Sequence, residues 1–403
     1  MNKSLIALAV LGMLSGAASA QSSVTLYGIV DIGVQWNKQG QTLPGASAVT
    51  QESAFTIDSG YQSGSRLGFR GSEALGRNWN AVFTLEAGFD ASTGTSLQGG
   101  RLFGRQAWAG LQHSALGTIA LGRIATPSSG SGSFDLWSPV DPFGCSWGVA
   151  SLGGTFIPCA TLREDNSIIW ASPVWAGFKF AAQWSANVDL QDTQPSGRNT
   201  SAFNVGGNWT WGPLFVAATY DVINYASCYG TFSTATQTCT TAGNQVAAGH
   251  PDQKMLQLGG TFDVKFLKLH AAWADQSNIS TAITVSGIGN GLPTAIVPTG
   301  IGNYDNSAWM AGVTVPLLGG SLRASYQYSD AKNIVNGLAQ FEPDYSVWGI
   351  GFDYPFSRRT NLYVGYGQRE WDGSVTQANG LALPEASQIV DRSQFALGLR
   401  HLF

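Results

Sequence analysis

The chain has 403 residues, of which 51 are glycine, 14 Trp, 12 Tyr and 20 Phe, while only 11% are charged. A water-facing surface ordinarily needs about 25% charged residues, so the composition does not suit a soluble globule. The abundant aromatics likewise do not suit a disordered chain. The formal charge of −4 lacks the basic footprint that a nucleic-acid partner requires.

In chain order, Lys3 precedes an apolar run from Leu5 to Leu14, and small residues follow up to Ala18-Ser19-Ala20. That succession describes a secretory signal peptide. The expectation is therefore a leader over residues 1–20 and a single domain over residues 21–403 that starts at Gln21. The run is too short for a spanning helix, and no later stretch reaches about 18 uncharged apolar residues.

A chain this poor in charge has a use for its apolar surface if that surface faces lipid. Within hydrocarbon every backbone N–H and C=O must be paired internally, which leaves helices and closed barrels. Spanning strands need about 9–11 residues with an apolar and a polar or small face. The first such pattern runs from Val24 to Trp36, with Val24, Leu26, Val30, Ile32, Val34 and Trp36 opposite Thr25, Tyr27, Asp31 and Gln35. Trp79, Ala81, Phe83, Leu85 and Phe89 then oppose Asn80, Thr84, Glu86 and Asp90. The alternation returns around Phe178–Ser185, Phe203–Trp211, Leu267–Trp273, Leu322–Tyr328, Trp348–Tyr354 and Leu362–Gly367.

Short connections at Ser72–Arg77, His113–Gly117, Pro173–Gly177, Trp211–Pro213, Asp263–Val264, Pro316–Gly320 and Pro355–Arg359 separate these strands on one side. Long ones fall at Asn37–Ala54, Ser92–Gly99, Ala125–Asp165, Leu190–Ser201, Tyr225–Gln253, Gln276–Asn306, Ala331–Pro343 and Trp371–Asp391. Seven short and eight long connections in strict alternation predict an all-β, 16-stranded antiparallel transmembrane barrel with both termini on the short-turn side, the outer-membrane arrangement. The last strand places Phe395, Leu397, Leu399, His401 and Phe403 on one face. Because it reaches the final residue, it must pair with the first strand to leave no open edge, which makes Phe403 a closure and assembly residue.

Cys145 and Cys159 share one long connection, and Cys228 and Cys239 share another. Four cysteines allow three pairings; proximity and an oxidising compartment favour Cys145–Cys159 and Cys228–Cys239. The four histidines, His113, His250, His270 and His401, show no metal-ligand spacing. No dinucleotide fingerprint, P-loop or H-E-x-x-H motif is present, and Gly60-Tyr61-Gln62-Ser63-Gly64 does not fit a nucleophile elbow. Neither a cofactor nor a metal is expected. An outer-membrane hydrolase, the one enzymatic alternative, would need a Ser/His pair that the sequence does not supply.

The informative charges fall on the lumen face. Arg66 and Arg70 share a face, with Leu67 and Phe69 turned to lipid. Arg105 is read as sharing the lumen face with Ala107 and Ala109, opposite Trp108. Arg123 falls by alternation with Ile119 and Leu121, so a bulge or strand end must turn it inward. Together these form a positive wall that shapes the field seen by ions, with Asp31 and Glu86 facing the same space. The third long connection exceeds what an exposed turn needs. Folded inward, it would narrow the lumen and set Asp135 and Asp141 against the arginines.

The start Ser22–Asp31, the segment SRLGFRGSEALG (65–76), NAVFTLEAGF (80–89), FGRQAWAGL (103–111), GTIALGR (117–123), DPFG (141–144) and the ending GLRHLF (398–403) resemble the general diffusion porins of β-proteobacteria, over essentially the whole mature chain. The resemblance implies a homotrimer of 16-stranded barrels in outer-membrane lipid, each pore constricted by its third external loop. It also implies passive diffusion of ions and small hydrophilic solutes, with anions favoured through a basic cluster. Arg66, Arg70, Arg105 and Arg123 stand for that cluster here, and Asp135 and Asp141 for the loop acids. The first turn departs from the family pattern at Ala74 and Arg77-Asn78, and the cysteines are additions to it. The expectation is weak anion selectivity, because the field in the narrowest section decides passage while external charges are screened beyond about 10 Å. A substrate-specific channel is the alternative.

Overall fold

The computed structural model describes residues 23–41, 50–152, 155–156, 163–188, 200–224, 231–233, 238–240, 252–279, 304–335, 338–341, 344–372 and 392–403. The expected leader lies outside them. Twenty strands follow in chain order: β1 (Ser23–Gln41), β2 (Thr50–Ser59), β3 (Arg66–Gly76), β4 (Trp79–Gly88), β5 (Gln106–His113), β6 (Gly117–Ala125), β7 (Arg163–Ala171), β8 (Phe178–Ser185), β9 (Ser201–Trp211), β10 (Leu214–Asn224), β11 (Thr231–Ser233), β12 (Thr238–Thr240), β13 (Gln253–Asp263), β14 (Lys268–Ile279), β15 (Tyr304–Leu317), β16 (Gly320–Val335), β17 (Leu338–Phe341), β18 (Asp344–Pro355), β19 (Thr360–Asp372) and β20 (Arg392–Leu402).

Eighteen of these form one antiparallel sheet, and β11 and β12 pair only with each other. Both β2 and β3 pair with β1, and both β17 and β18 pair with β16. Each couple is therefore one stave with an interruption, and the eighteen strands make 16 staves. The sheet closes where β20 pairs with β1, from Ile29 against Leu402 to Gln39 against Arg392. At the seam, Gly28 and Phe403 exchange both backbone hydrogen bonds at 3.1 Å. Closure removes the last edge, as lipid requires.

The faces follow the alternation. Val24, Leu26, Trp36, Phe180, Trp184, Leu269, Trp273, Ile350, Leu397 and Leu399 are exposed on the outside. Inward positions are polar or small and buried, among them Thr84, Gln183, Asn204, Gln257, Gln327 and Gln394. The short connections are tight. Arg77 and Asn78 join β3 to β4 with φ of 50° and 65°, the left-handed pair of a two-residue hairpin whose twist matches its strands.

Two of the expected long connections are shorter than the sequence suggested. β1 continues to Gln41 and β2 begins at Thr50, so most of Asn37–Ala54 is strand. β16 likewise runs to Val335 and β17 starts at Leu338, which leaves little of Ala331–Pro343 outside the ladder. These hairpins continue past the lipid-patterned stretch, where cross-strand pairing alone sustains them.

Candidate functional site

The inner face is built by staves whose polar side points away from lipid. The segment between β6 and β7 packs on residues of staves far apart in sequence. Trp137, Val140, Leu152 and Phe156 form a buried cluster with Ala217, Ala272, Ala308 and Met310. Phe143, Trp147 and Ala150 cluster with Tyr61, Tyr363 and Ala396. Its backbone carbonyls are met by wall side chains. Asn208 donates to Leu136 at 3.1 Å, His270 to Val140 at 2.9 Å, Arg323 to Pro142 at 2.7 Å and Gln327 to Ala150 at 3.0 Å. The inward glycines of β18 and β19 leave the room: a Cβ at Gly349 would lie 2.3 Å from Ala150 Cβ, and one at Gly351 2.5 Å from the Trp147 ring.

Irregular backbone needs acceptors and donors of its own, and the segment's acids supply them. Asp141 accepts from the backbone N–H of Phe143 at 2.9 Å, Cys145 at 2.8 Å and Leu152 at 3.1 Å. Burial pushes its carboxyl up to about 6, against these three donors, which favour the charged form. Asp135 accepts from the backbone N–H of Trp137 and Ser138, and burial also raises its pKa. Neither acid opposes the arginine wall as expected; both organise the segment's own backbone. Cys145 is buried and disulfide-bonded. Cys159, Cys228 and the side chain of Cys239 lie outside the described residues.

The arginines are brought together by β3 to β7. Arg105 precedes β5 and its Nε donates to Glu86 Oε1 at 2.7 Å, both side chains nearly fully buried. The expected face was inverted: Ala109 is exposed and Trp108 is buried, its ring 5.1 Å from that of Phe134. Arg105 reaches inward because it stands outside the strand, where alternation no longer binds it. Arg123 is turned by an irregularity. The β6–β7 register shifts between Gly122 and Ile124, and Gly122 takes φ of 140°, a conformation open mainly to glycine. Arg123 then donates to Gly104 O at 2.7 Å and to Asp165 Oδ1 at 2.6 Å.

Two arginines that sequence reasoning did not place in the cluster belong to it, together with Glu164 and Asp165 from the end of the third long connection. Arg101 pairs with Asp165 at 2.7 Å, and Arg163 lies within electrostatic reach of Arg66, Arg105 and Arg123. Glu164 accepts from Gln183 and Asn204. The signal available was charge at the ends of long connections, which sets no direction. Arg66 stays with the group, facing Glu86 and Arg105, whereas Arg70 sits four residues along β3, about 13 Å at strand rise, over the Tyr27 ring.

Asp31 does not line the pore. It is fully buried beneath residues 60–65, the interruption between β2 and β3. Its Oδ2 accepts from the Ser63 N–H and its Oδ1 from the Tyr363 hydroxyl, each at 2.6 Å, while its backbone C=O accepts from the Gly60 N–H at 3.0 Å. Glu86 is likewise buried, accepting from Tyr27 at 2.9 Å besides Arg105.

A closed barrel of 16 antiparallel staves, apolar outside and polar with paired charges inside, defines a water-filled outer-membrane channel. The chain belongs to the Gram-negative porin family, matched over residues 7–374. It is 33% identical to an outer membrane porin protein of Bordetella pertussis across all of both chains, and 27% identical to outer membrane porin protein 32 of Delftia acidovorans, again across both in full. In fold it is similar to an anion-selective porin from Comamonas acidovorans, with TM-score 0.67 and 20% identity, covering 95% of this chain and 100% of that one. It is also similar to the trimer form of OmpT, an outer membrane protein of Vibrio cholerae, at TM-score 0.55 and 16% identity, covering 95% and 99%. The protein is thus an outer-membrane diffusion porin, a channel and not an enzyme.

Proposed function

We propose that the channel is a general diffusion pore with weak anion selectivity, narrowed by the inward-folded segment between β6 and β7. The observation that carries the selectivity is the charge on the wall from β3 to β7. Arg66, Arg101, Arg105, Arg123 and Arg163 stand together against Glu86, Glu164 and Asp165, five positive groups to three negative. Among the described residues neither Asp135 nor Asp141 forms an ion pair with these arginines; their carboxylates accept from backbone N–H groups of their own segment. Fixed charge at close quarters sets which ions enter, while external charge is screened. The same reading takes residues 1–20 as a removed leader and residues 21–403 as one barrel domain. It pairs Cys145 with Cys159 and Cys228 with Cys239, and assembles three copies, as the Vibrio cholerae protein does in its trimer form.

Two variants of opposite sign test it. In a salt gradient, Arg66→Gln is expected to move the reversal potential towards cations. Asp165→Asn, which frees Arg101 and Arg123 of their counter-charge, is expected to move it towards anions. Shifts of equal sign, or none in either variant, would contradict the proposal.

A further inference from the structure

We propose that the lumen carries, on the short-turn side of the arginine cluster, a binding site for organic carboxylates with a flat apolar body. A cavity of about 430 Å³ lies between the wall and residues Ser133 and Phe134, lined among others by Arg70, Lys179, Trp108, Thr84 and Thr118. The volume falls within the roughly 300–1,000 Å³ of small-molecule sites.

Its lining contains two cations and no carboxylate. Arg70 is exposed to this space and, among the described residues, forms no ion pair; its guanidinium rests over the Tyr27 ring at 5.3 Å. Lys179 donates one hydrogen bond, to the backbone O of Asp135 at 3.2 Å, and an ammonium has three N–H groups to give. Both cations thus retain donors for an incoming anion. This separates the cavity from the cluster above it, where Arg105 and Arg123 already hold carboxylates.

The remainder of the lining fixes the rest of the ligand. Trp108 and Phe134, in tilted contact, give one apolar wall from the barrel and one from the segment. An aromatic body packed there removes apolar surface from water, which inorganic anions cannot do, and guanidinium matches a carboxylate in a fork. Charge and apolar surface together select an aromatic acid over both chloride and a neutral aromatic.

The inference rests on the porin reading but is tested apart from it, since wall charge is read from the reversal potential and this site from current block. Benzoate, benzamide and acetate are added separately to the short-turn side of the wild-type channel in a planar bilayer. Benzoate is expected to reduce the current saturably, and benzamide and acetate to leave it unblocked at the same concentrations. In the Arg70→Gln/Lys179→Gln double variant, the half-blocking benzoate concentration is expected to rise at least tenfold. Phe134→Leu, which keeps apolar bulk, is expected to raise it severalfold. Absence of saturable benzoate block in the wild type, equal block by benzamide or acetate, or an unchanged half-blocking concentration in the double variant would overturn the proposal.

Discussion

Asp141→Asn should loosen the segment between β6 and β7 without unfolding the barrel. The carboxylate is nearly fully buried; its Oδ2 accepts from Cys145 and Leu152 and its Oδ1 from Phe143. An amide keeps one acceptor oxygen, so at best the bonds to Cys145 and Leu152 survive as neutral ones, and the Phe143 N–H then faces an NH₂. Hydrogen bonds to a charged group contribute about 1.5–3 kcal/mol against about 0.5–1.5 for neutral ones, and a buried unpaired donor costs about 1–3 kcal/mol. Weakening two and losing one costs about 3–5 kcal/mol, or roughly two to four powers of ten in the population of opened segment. The barrel is held by its own ladder and should assemble normally. Single-channel recording should show larger mean conductance and more open-channel noise than wild type. A folded variant with wild-type conductance and noise would refute the assignment of Asp141 as the segment's anchor.

Two further outcomes are expected. Arg105→Gln removes the ion-pair partner of buried Glu86, leaving it Tyr27 and Arg66, and should cost about 3 kcal/mol, read as a lower unfolding temperature, while Glu86→Gln added to it should recover most of the loss. At the seam, a Cβ on Gly28 would lie 2.3 Å from the Phe403 ring. Gly28→Val and deletion of Phe403 should both lower the yield of heat-modifiable barrel, with near-normal conductance in channels that do form.

The staves were legible because lipid enforces a period of two: wherever one face must be apolar and the backbone fully paired, the sequence alternates visibly. The hairpins around Gln41 and Val335 were not, since beyond lipid the ladder continues with no apolar face to mark it. Trp108 misled for a related reason. An aromatic in a barrel strand normally reports lipid, but here Phe134 provides an apolar surface inside. The acids were visible as residues but not in their roles. Asp135 and Asp141 lie outside the ladder and Asp31 lies in β1 against the interruption between β2 and β3, and alternation cannot say where N–H groups will lack partners. The Asp141-Pro142-Phe143-Gly144 stretch did hold a hint, because Asp favours turns in which it accepts from the backbone two residues on, as it does from Phe143. Arg123 was the instructive case: its position contradicted the alternation, and the contradiction pointed to a bulge, a common device for re-aiming a side chain.

The wild-type channel itself tests the central claim most directly, through its zero-current potential across a potassium chloride gradient. An excess of arginine over carboxylate on the wall from β3 to β7 predicts a potential displaced modestly towards the equilibrium potential of chloride. Displacement towards that of potassium would contradict the account.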